Sequence, residues 1–194
     1  MSERTRVGVL ISGRGSNMMA LVEAARAPDY PAQIALVASN KPDAPGLAWA
    51  REQTIPTLAI DAKPFGADRE AHERAIDAAL RAAGVQVIAL AGYMRVLTPW
   101  FVNAWAGRMI NIHPSLLPAY PGLHTHERAI AAGDTEAGCT VHLVTEGVDE
   151  GPILGQARVP ILAGDDADAL AARVLEQEHR LYPKALAEFC RSLG

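Results

Sequence analysis

The sequence predicts a doubly wound α/β fold: a mostly parallel twisted sheet, helices on both faces and an antiparallel strand pair near the C-terminus. Three observations predict it. Residues 6–11 (RVGVLI) and 85–91 (VQVIALA) are short, almost wholly apolar runs, as expected of strands covered on both faces. Segments of helical period separate such runs, so strands and helices alternate along the chain. The last two strand-like runs, 139–145 and 153–161, are joined only by a turn at 148–152, which suits antiparallel pairing. A chain of 194 residues is expected to form one domain.

Composition narrows the class. Apolar residues make up 49% and charged residues 21%, ordinary values for a soluble globular protein. A net charge of -4 gives no electrostatic footprint for nucleic acid, yet leaves room for a local basic pocket. Cys139 and Cys190 are the only cysteines and form no close-spaced pair, which argues against a disulfide framework or a thiolate zinc site. A reducing, cytoplasmic setting is expected. The N-terminal apolar run is too short and wrongly flanked for a signal peptide, and no stretch approaches the ~18 apolar residues of a membrane span.

In order, the first strand (6–11) runs into Ser12-Gly13-Arg14-Gly15-Ser16-Asn17, and Met19, Leu21, Val22 and Ala25 then repeat with helical period. Strand, glycine-rich turn and helix start can together hold a phosphate on free backbone N–H groups. The dinucleotide fingerprint is incomplete, because Met18 stands at its third glycine and Ser39-Asn40-Lys41, not an acid, follows the second strand (34–38). A loop for one phosphate monoester fits better, the alternative being a purely structural turn. A short helix is expected at 46–53 and a third strand at 57–60. Asp68 can cap a helix reaching Ala83, with Ile76, Ala79, Leu80 and Ala83 on its inner face and Gly84 as its stop. After the strand at 85–91, Thr98-Pro99 opens another short helix through Trp105. A long Pro/Gly loop at 114–125, suited to a mobile lid, precedes a short helix at 127–132. The last helix runs from about 168 to 190, with Leu170, Val174, Leu181 and Ala185 on one stripe. Glu178 falls on that stripe and must find partners or reach solvent.

Candidate chemistry centres on 109–118 (MINIHPSLLP). At strand spacing Asn111 and His113 share a face, and Pro114 ends the strand. An amide donor and an imidazolium aimed at one point would stabilise an oxyanion, though both could equally be buried groups satisfied by backbone. A carboxylate would favour the charged imidazole, and Asp149 is the best candidate. No Ser or Cys sits in a nucleophile elbow, which favours direct attack by a substrate amine, with hydrolysis as the neighbouring possibility. His113, His124, His126 and His142 invite a metal reading, but no His-Glu-x-x-His or Cys pair supports it, and none is expected.

With these residues in view the chain resembles the phosphoribosylglycinamide formyltransferases. The matching segments are SGRGSN (12–17), SNKPDAPGL (39–47), LAGYMRVL (90–97), NIHPSLLPAYPGLHTH (111–126) and GCTVHLVTEGVDEGPIL (138–154). Asn111, His113 and Asp149 mark the wider superfamily that uses 10-formyltetrahydrofolate; Gly15-Ser16-Asn17 and Gln177-Glu178-His179 narrow it. The resemblance implies formyl transfer from 10-formyltetrahydrofolate, a co-substrate, to the amine of glycinamide ribonucleotide, in purine synthesis and without a metal. It makes Asn111 and protonated His113 oxyanion stabilisers, with Asp149 raising the His113 pKa and assisting proton transfer. Gly15, Ser16 and Asn17 would hold the phosphate, and Glu178 the ribose hydroxyls. Arg69, Met94, Arg95, Val96 and Leu97 would line the folate pocket, with backbone from Val144 through Val148 to Asp149 on the pterin. The single domain, 1–194, then divides into a phosphate-binding half (about 1–105) and a catalytic, folate-binding half (about 106–194). Arg14 departs from the pattern, standing where relatives often carry a smaller polar residue; it would touch the phosphate or face solvent. A monomer or weak homodimer is expected, with no nucleic-acid or membrane partner. Methionyl-tRNA formyltransferase and formyltetrahydrofolate deformylase share the catalytic set but normally carry an extra domain, which is not expected here. A non-catalytic binding protein would not need Asn111, His113 and Asp149 together.

Overall fold

The computed structural model describes residues 3–194. Seven strands form one sheet: β1 (Thr5–Ile11), β2 (Ala32–Ser39), β3 (Thr57–Ala59), β4 (Val87–Leu90), β5 (Met109–His113), β6 (Glu136–Leu143) and β7 (Ile153–Pro160). Their order is β3-β2-β1-β4-β5-β6-β7. Pairings from β3 through β5 are parallel, and β6 and β7 are added antiparallel. The direction of winding reverses between β1 and β4, and ligands of such sheets bind in the crevice beyond the strand C-termini at that point.

Strand alternation sorts the core into two layers. Val7, Val9 and Ile11, with Val87, Ala89 and Ile110, pack toward α1 (Ser16–Ala25), α2 (Pro45–Glu52) and α6 (Ala167–Ser192). Leu10, Ile88, Leu90 and Met109 face α3 (Arg69–Ala82) and α4 (Pro99–Ala104), where Leu80, Phe101 and Trp105 are fully buried. α5 (Thr125–Ala131) follows the irregular loop after β5. By the same alternation Asn111 and His113 lie on the Met109 side of the sheet.

Boundaries differ from the sequence expectation for local reasons. Val85 does not join β4, because its N–H closes the end of α3 on the Leu80 carbonyl (3.0 Å). A short 3₁₀ turn at Lys63–Phe65 was not expected; the Asp61 carboxylate starts it by accepting the Lys63 N–H at 3.0 Å. β6 begins at Glu136 rather than 139, since Gly138 lets β7 approach where a Cβ would meet the Ala157 carbonyl oxygen at 2.0 Å. α6 continues through Pro183, and the Tyr30 hydroxyl donates to the Pro183 carbonyl at 2.6 Å.

α6 is fixed to the sheet beneath the crevice. The Tyr182 hydroxyl, wholly buried, donates to the Leu90 carbonyl at 2.7 Å. Glu178 lies one turn earlier on the same face, so the bond that seats the helix also sets the height of this carboxylate.

Candidate active site

Three loops meet at the crevice. Ser12 ties them together: its hydroxyl donates to Asn40 Oδ1 (2.6 Å) and accepts the Met94 N–H (2.7 Å). A cavity of about 320 Å³ opens there, lined by Gly13 to Asn17, Lys41, Gly92 and Met94 among others. Gly15 takes the N-cap position of α1 at φ 69°, a left-handed conformation that glycine adopts without a Cβ penalty. No side chain caps this helix and no acid lies in its first turn, so its free N–H groups face the cavity uncompensated. Gly46 packs against the same loop: its N–H donates to the Gly13 carbonyl (3.0 Å), and a Cβ would stand 2.9 Å from the Arg14 carbonyl. Asn17, which lines this cavity, donates through Nδ2 to Glu178 Oε1 at 3.2 Å. Asn17 Oδ1 is buried with no partner among the described residues. Burial pushes the Glu178 carboxyl above its usual range, against the Asn17 hydrogen bond.

One strand further along, Leu90 is in register with Asn111, so the cavity wall leads directly to the imidazoles. Asn111 faces His142 across the β5–β6 ladder, and His113 faces Thr140. Asp149 reaches them from the β6–β7 connection, held at φ 55°. Its Oδ2 is 3.4 Å from His113 Nδ1 and accepts the Gly122 N–H at 2.9 Å, while Oδ1 is 3.6 Å from His142 Nε2. Only 8% and 10% of the His113 and Asp149 side chains remain exposed, so solvent screens this pair weakly. Burial opposes the Asp149 charge most strongly, but the hydrogen bonds from His142 and Gly122 and the His113 imidazole outweigh it. The carboxyl is therefore held below the usual carboxylate range.

Proton positions follow from the partners. His113 Nε2 is 2.9 Å from the Tyr120 carbonyl, which only accepts, so Nε2 carries the hydrogen and Nδ1 faces Asp149. His142 Nδ1 donates to the Leu143 carbonyl at 3.1 Å by the same logic. His142 Nε2 lies between Asn111 Nδ2 (3.3 Å) and Asp149 Oδ1 (3.6 Å), which places the Asn111 amide beside the carboxylate and leaves one of its N–H groups free.

The segment 92–98 is clamped by α3. Arg69 Nη1 donates to the Val96 carbonyl (3.2 Å), and buried Glu73 accepts the Thr98 N–H (2.9 Å) and its hydroxyl. Leu97 and Val144 pack on the same core cluster, which brings the two expected folate segments together. Arg95 is half-buried, whereas Met94 (69% exposed), Val96 (61%) and Val148 (55%) present apolar surface to solvent.

The sequence offers His142 only as a metal ligand; in the structure it lies between Asn111 and Asp149. No group of three or more His, Cys, Asp or Glu side chains arranged to hold a metal occurs among the described residues, and His124 pairs with Glu127 at the exposed start of α5. Glu73 and Lys41 also reach functional segments that their local sequence does not mark, Glu73 at Thr98 and Lys41 at the cavity. Glu73 shares the inner stripe of α3 with Ile76 and Leu80, a pattern that marks a buried carboxylate, as it does for Glu178.

The family model described as formyl transferase matches residues 5–186. The chain belongs to the formyl transferase family. Within it, the chain is 47% identical to phosphoribosylglycinamide formyltransferase of Escherichia coli, over 93% of this chain and 85% of that protein. The structure of phosphoribosylglycinamide formyltransferase from Brucella melitensis is 57% identical, with a TM-score of 0.93 and coverage of 97% of this chain and 96% of that one. Glycinamide ribonucleotide transformylase 1 from Symbiobacterium toebii is 44% identical, with a TM-score of 0.95, over 99% of this chain and 90% of that one. The trifunctional purine biosynthetic protein adenosine-3 of Drosophila melanogaster is 53% identical over 95% of this chain, which spans 14% of that protein's length. The formyl transferase fold and its phosphoribosylglycinamide branch are thus those of this chain, and the enzyme is a transferase.

Proposed function

We propose that this transferase moves the formyl group of 10-formyltetrahydrofolate to the amine of glycinamide ribonucleotide; its relatives' names support the formyl transfer and the glycinamide acceptor. The observation that carries the proposal is the cluster Asn111–His113–Asp149 beside a cavity at the sheet's winding reversal. Gly15, Ser16 and Asn17 hold the phosphate on the α1 N-terminus, and Asn17 Oδ1 and Glu178 accept from the ribose hydroxyls. Arg69, Met94 to Leu97, Val144 and Val148 receive the folate, whose flat apolar ring suits the exposed Met94, Val96 and Val148 surfaces.

The residues divide the work. The free Asn111 N–H and the His113 Nδ1 proton stabilise the oxyanion that forms as the amine nitrogen bonds to the formyl carbon. The Tyr120 carbonyl holds the imidazole by its other nitrogen, so the ring need not reorganise during the reaction. Asp149, kept ionised, balances the imidazolium charge and accepts the proton that the attacking amine loses. The oxyanion's electron pair then reforms the carbonyl as the bond from the formyl carbon to the folate nitrogen breaks, and that nitrogen takes up the proton Asp149 had accepted from the amine. The products are N-formylglycinamide ribonucleotide and tetrahydrofolate.

His113→Ala tests this. We expect turnover to fall about 10²–10⁴-fold, the range for loss of an acid–base or oxyanion group. Ribonucleotide binding measured by calorimetry should persist, because the phosphate cavity excludes His113. Turnover within a factor of about three of wild type would remove His113 from the chemistry.

A further inference from the structure

We infer that Arg14 and Lys41 form a cationic clamp that selects a doubly charged phosphoryl group; the inference rests on the ribonucleotide reading above and assigns two residues it leaves without a role. Both side chains line the cavity at the α1 N-terminus, from separate loops, after β1 and after β2. No carboxylate lines that cavity. Among the described residues neither the Arg14 nor the Lys41 side chain pairs with a carboxylate, so both charges are available to a ligand. Two exposed cations thus line one cavity in a chain whose net charge is -4.

Charge arithmetic says why the helix alone is not enough. A phosphate monoester carries about -1.5 to -2 at neutral pH. A helix N-terminus supplies the equivalent of only about +0.5. Arg14 and Lys41 add two full charges, which leaves a small positive excess that favours the doubly charged form, and the arginine fork can bond two phosphoryl oxygens at once. Neighbouring titratable groups do not supply this charge. Burial, then the Arg14 charge, lower the His179 pKa, so that imidazole stays neutral, and Glu178 is directed to Asn17. The unpartnered Asn17 Oδ1 in the same cavity is an acceptor, which a sugar hydroxyl satisfies and a phosphate oxygen does not. The cavity thus carries two kinds of group, exposed cations for the phosphate and a buried acceptor for the sugar.

The test uses the full chain with Arg14→Asn, Lys41→Gln, the double variant and Arg14→Lys. Two readouts are needed: KM and kcat with glycinamide ribonucleotide, and the shift in melting temperature produced by inorganic phosphate alone. The clamp predicts that each single neutral variant raises KM roughly 3–10-fold and the double variant about 30-fold or more, the range for charge-assisted bonds at a partly exposed site. The loss falls in KM for the ribonucleotide and not in KM for the folate, and Arg14→Lys recovers most of it. Phosphate stabilises wild type more than the double variant. If wild type turns over the ribonucleotide while KM and the phosphate shift are unchanged in the double variant, the clamp is overturned and the function stands. If wild type does not turn over the ribonucleotide, yet its phosphate shift is lost in the double variant, the function falls and the anion clamp stands.

Discussion

His113 acts through two fixed neighbours, and neither can be replaced by solvent. The Tyr120 carbonyl holds Nε2 and Asp149 faces Nδ1, so the imidazole has one geometry and one place to exchange a proton. Glu178 presents the opposite case, a carboxylate whose burial is unfavourable until a ligand arrives. Its raised pKa has a definite consequence for stability. The folded state binds the proton more tightly than the unfolded chain, so stability falls as pH rises from the usual value of 4.5 through the folded pKa. Glu178→Gln should therefore flatten the pH dependence above pH 4.5 and raise the melting temperature of the ligand-free protein at pH 7 by a few degrees. The same variant should weaken ribonucleotide binding. A lower melting temperature at pH 7 would show that the carboxylate stabilises the free protein instead. Asn111, His113 and Glu178 were legible in the sequence because strand and helix periods fix which residues share a face. The Asp149–His142 link was not, since it depends on cross-strand register and on a positive-φ residue in a connection, neither of which a local pattern encodes.

At the scale of elements, α3 behaves as a clamp on the segment that follows β4. Glu73 is 3% exposed and takes both polar groups of Thr98, the residue that opens α4. Removing it leaves a half-buried N–H unpaired, which costs about 1 kcal/mol. Glu73→Ala should lower the melting temperature by several degrees, at about 2–4 °C per kcal/mol for a chain of this size. It should also raise KM for the folate more than KM for the ribonucleotide, because Arg69 and Glu73 hold the 94–98 segment and not the phosphate loop. Equal effects on both substrates would argue for a general loss of packing. Strand and helix positions were readable from apolar runs and caps, and Asp68 and Thr98 cap α3 and α4 as their spacing indicates. The ends of β4 and β6 were not, because a helix-closing hydrogen bond at Val85 and a Cβ-free approach at Gly138 set them.

Over the whole molecule, the doubly wound sheet brings loops from distant parts of the chain to one crevice, and a single hydroxyl, that of Ser12, links three of them. Alternating strands and helices made the parallel sheet and its ligand-bearing edge predictable; the strand order itself is a product of packing on both faces. The closed core also bears on the two cysteines. Burial pushes the Cys139 thiol up to about 12 and the Cys190 thiol up to about 11. Native protein should thus resist thiol reagents at pH 8 and label at both positions only in denaturant; rapid labelling of folded protein would contradict the packing described. The most direct test of the account is folate product formation from 10-formyltetrahydrofolate, followed by absorbance with and without glycinamide ribonucleotide. The account predicts turnover that requires the ribonucleotide and yields one N-formylated product per folate released. Folate release at the same rate without the ribonucleotide would contradict it, because water rather than the substrate amine would then be the attacking group.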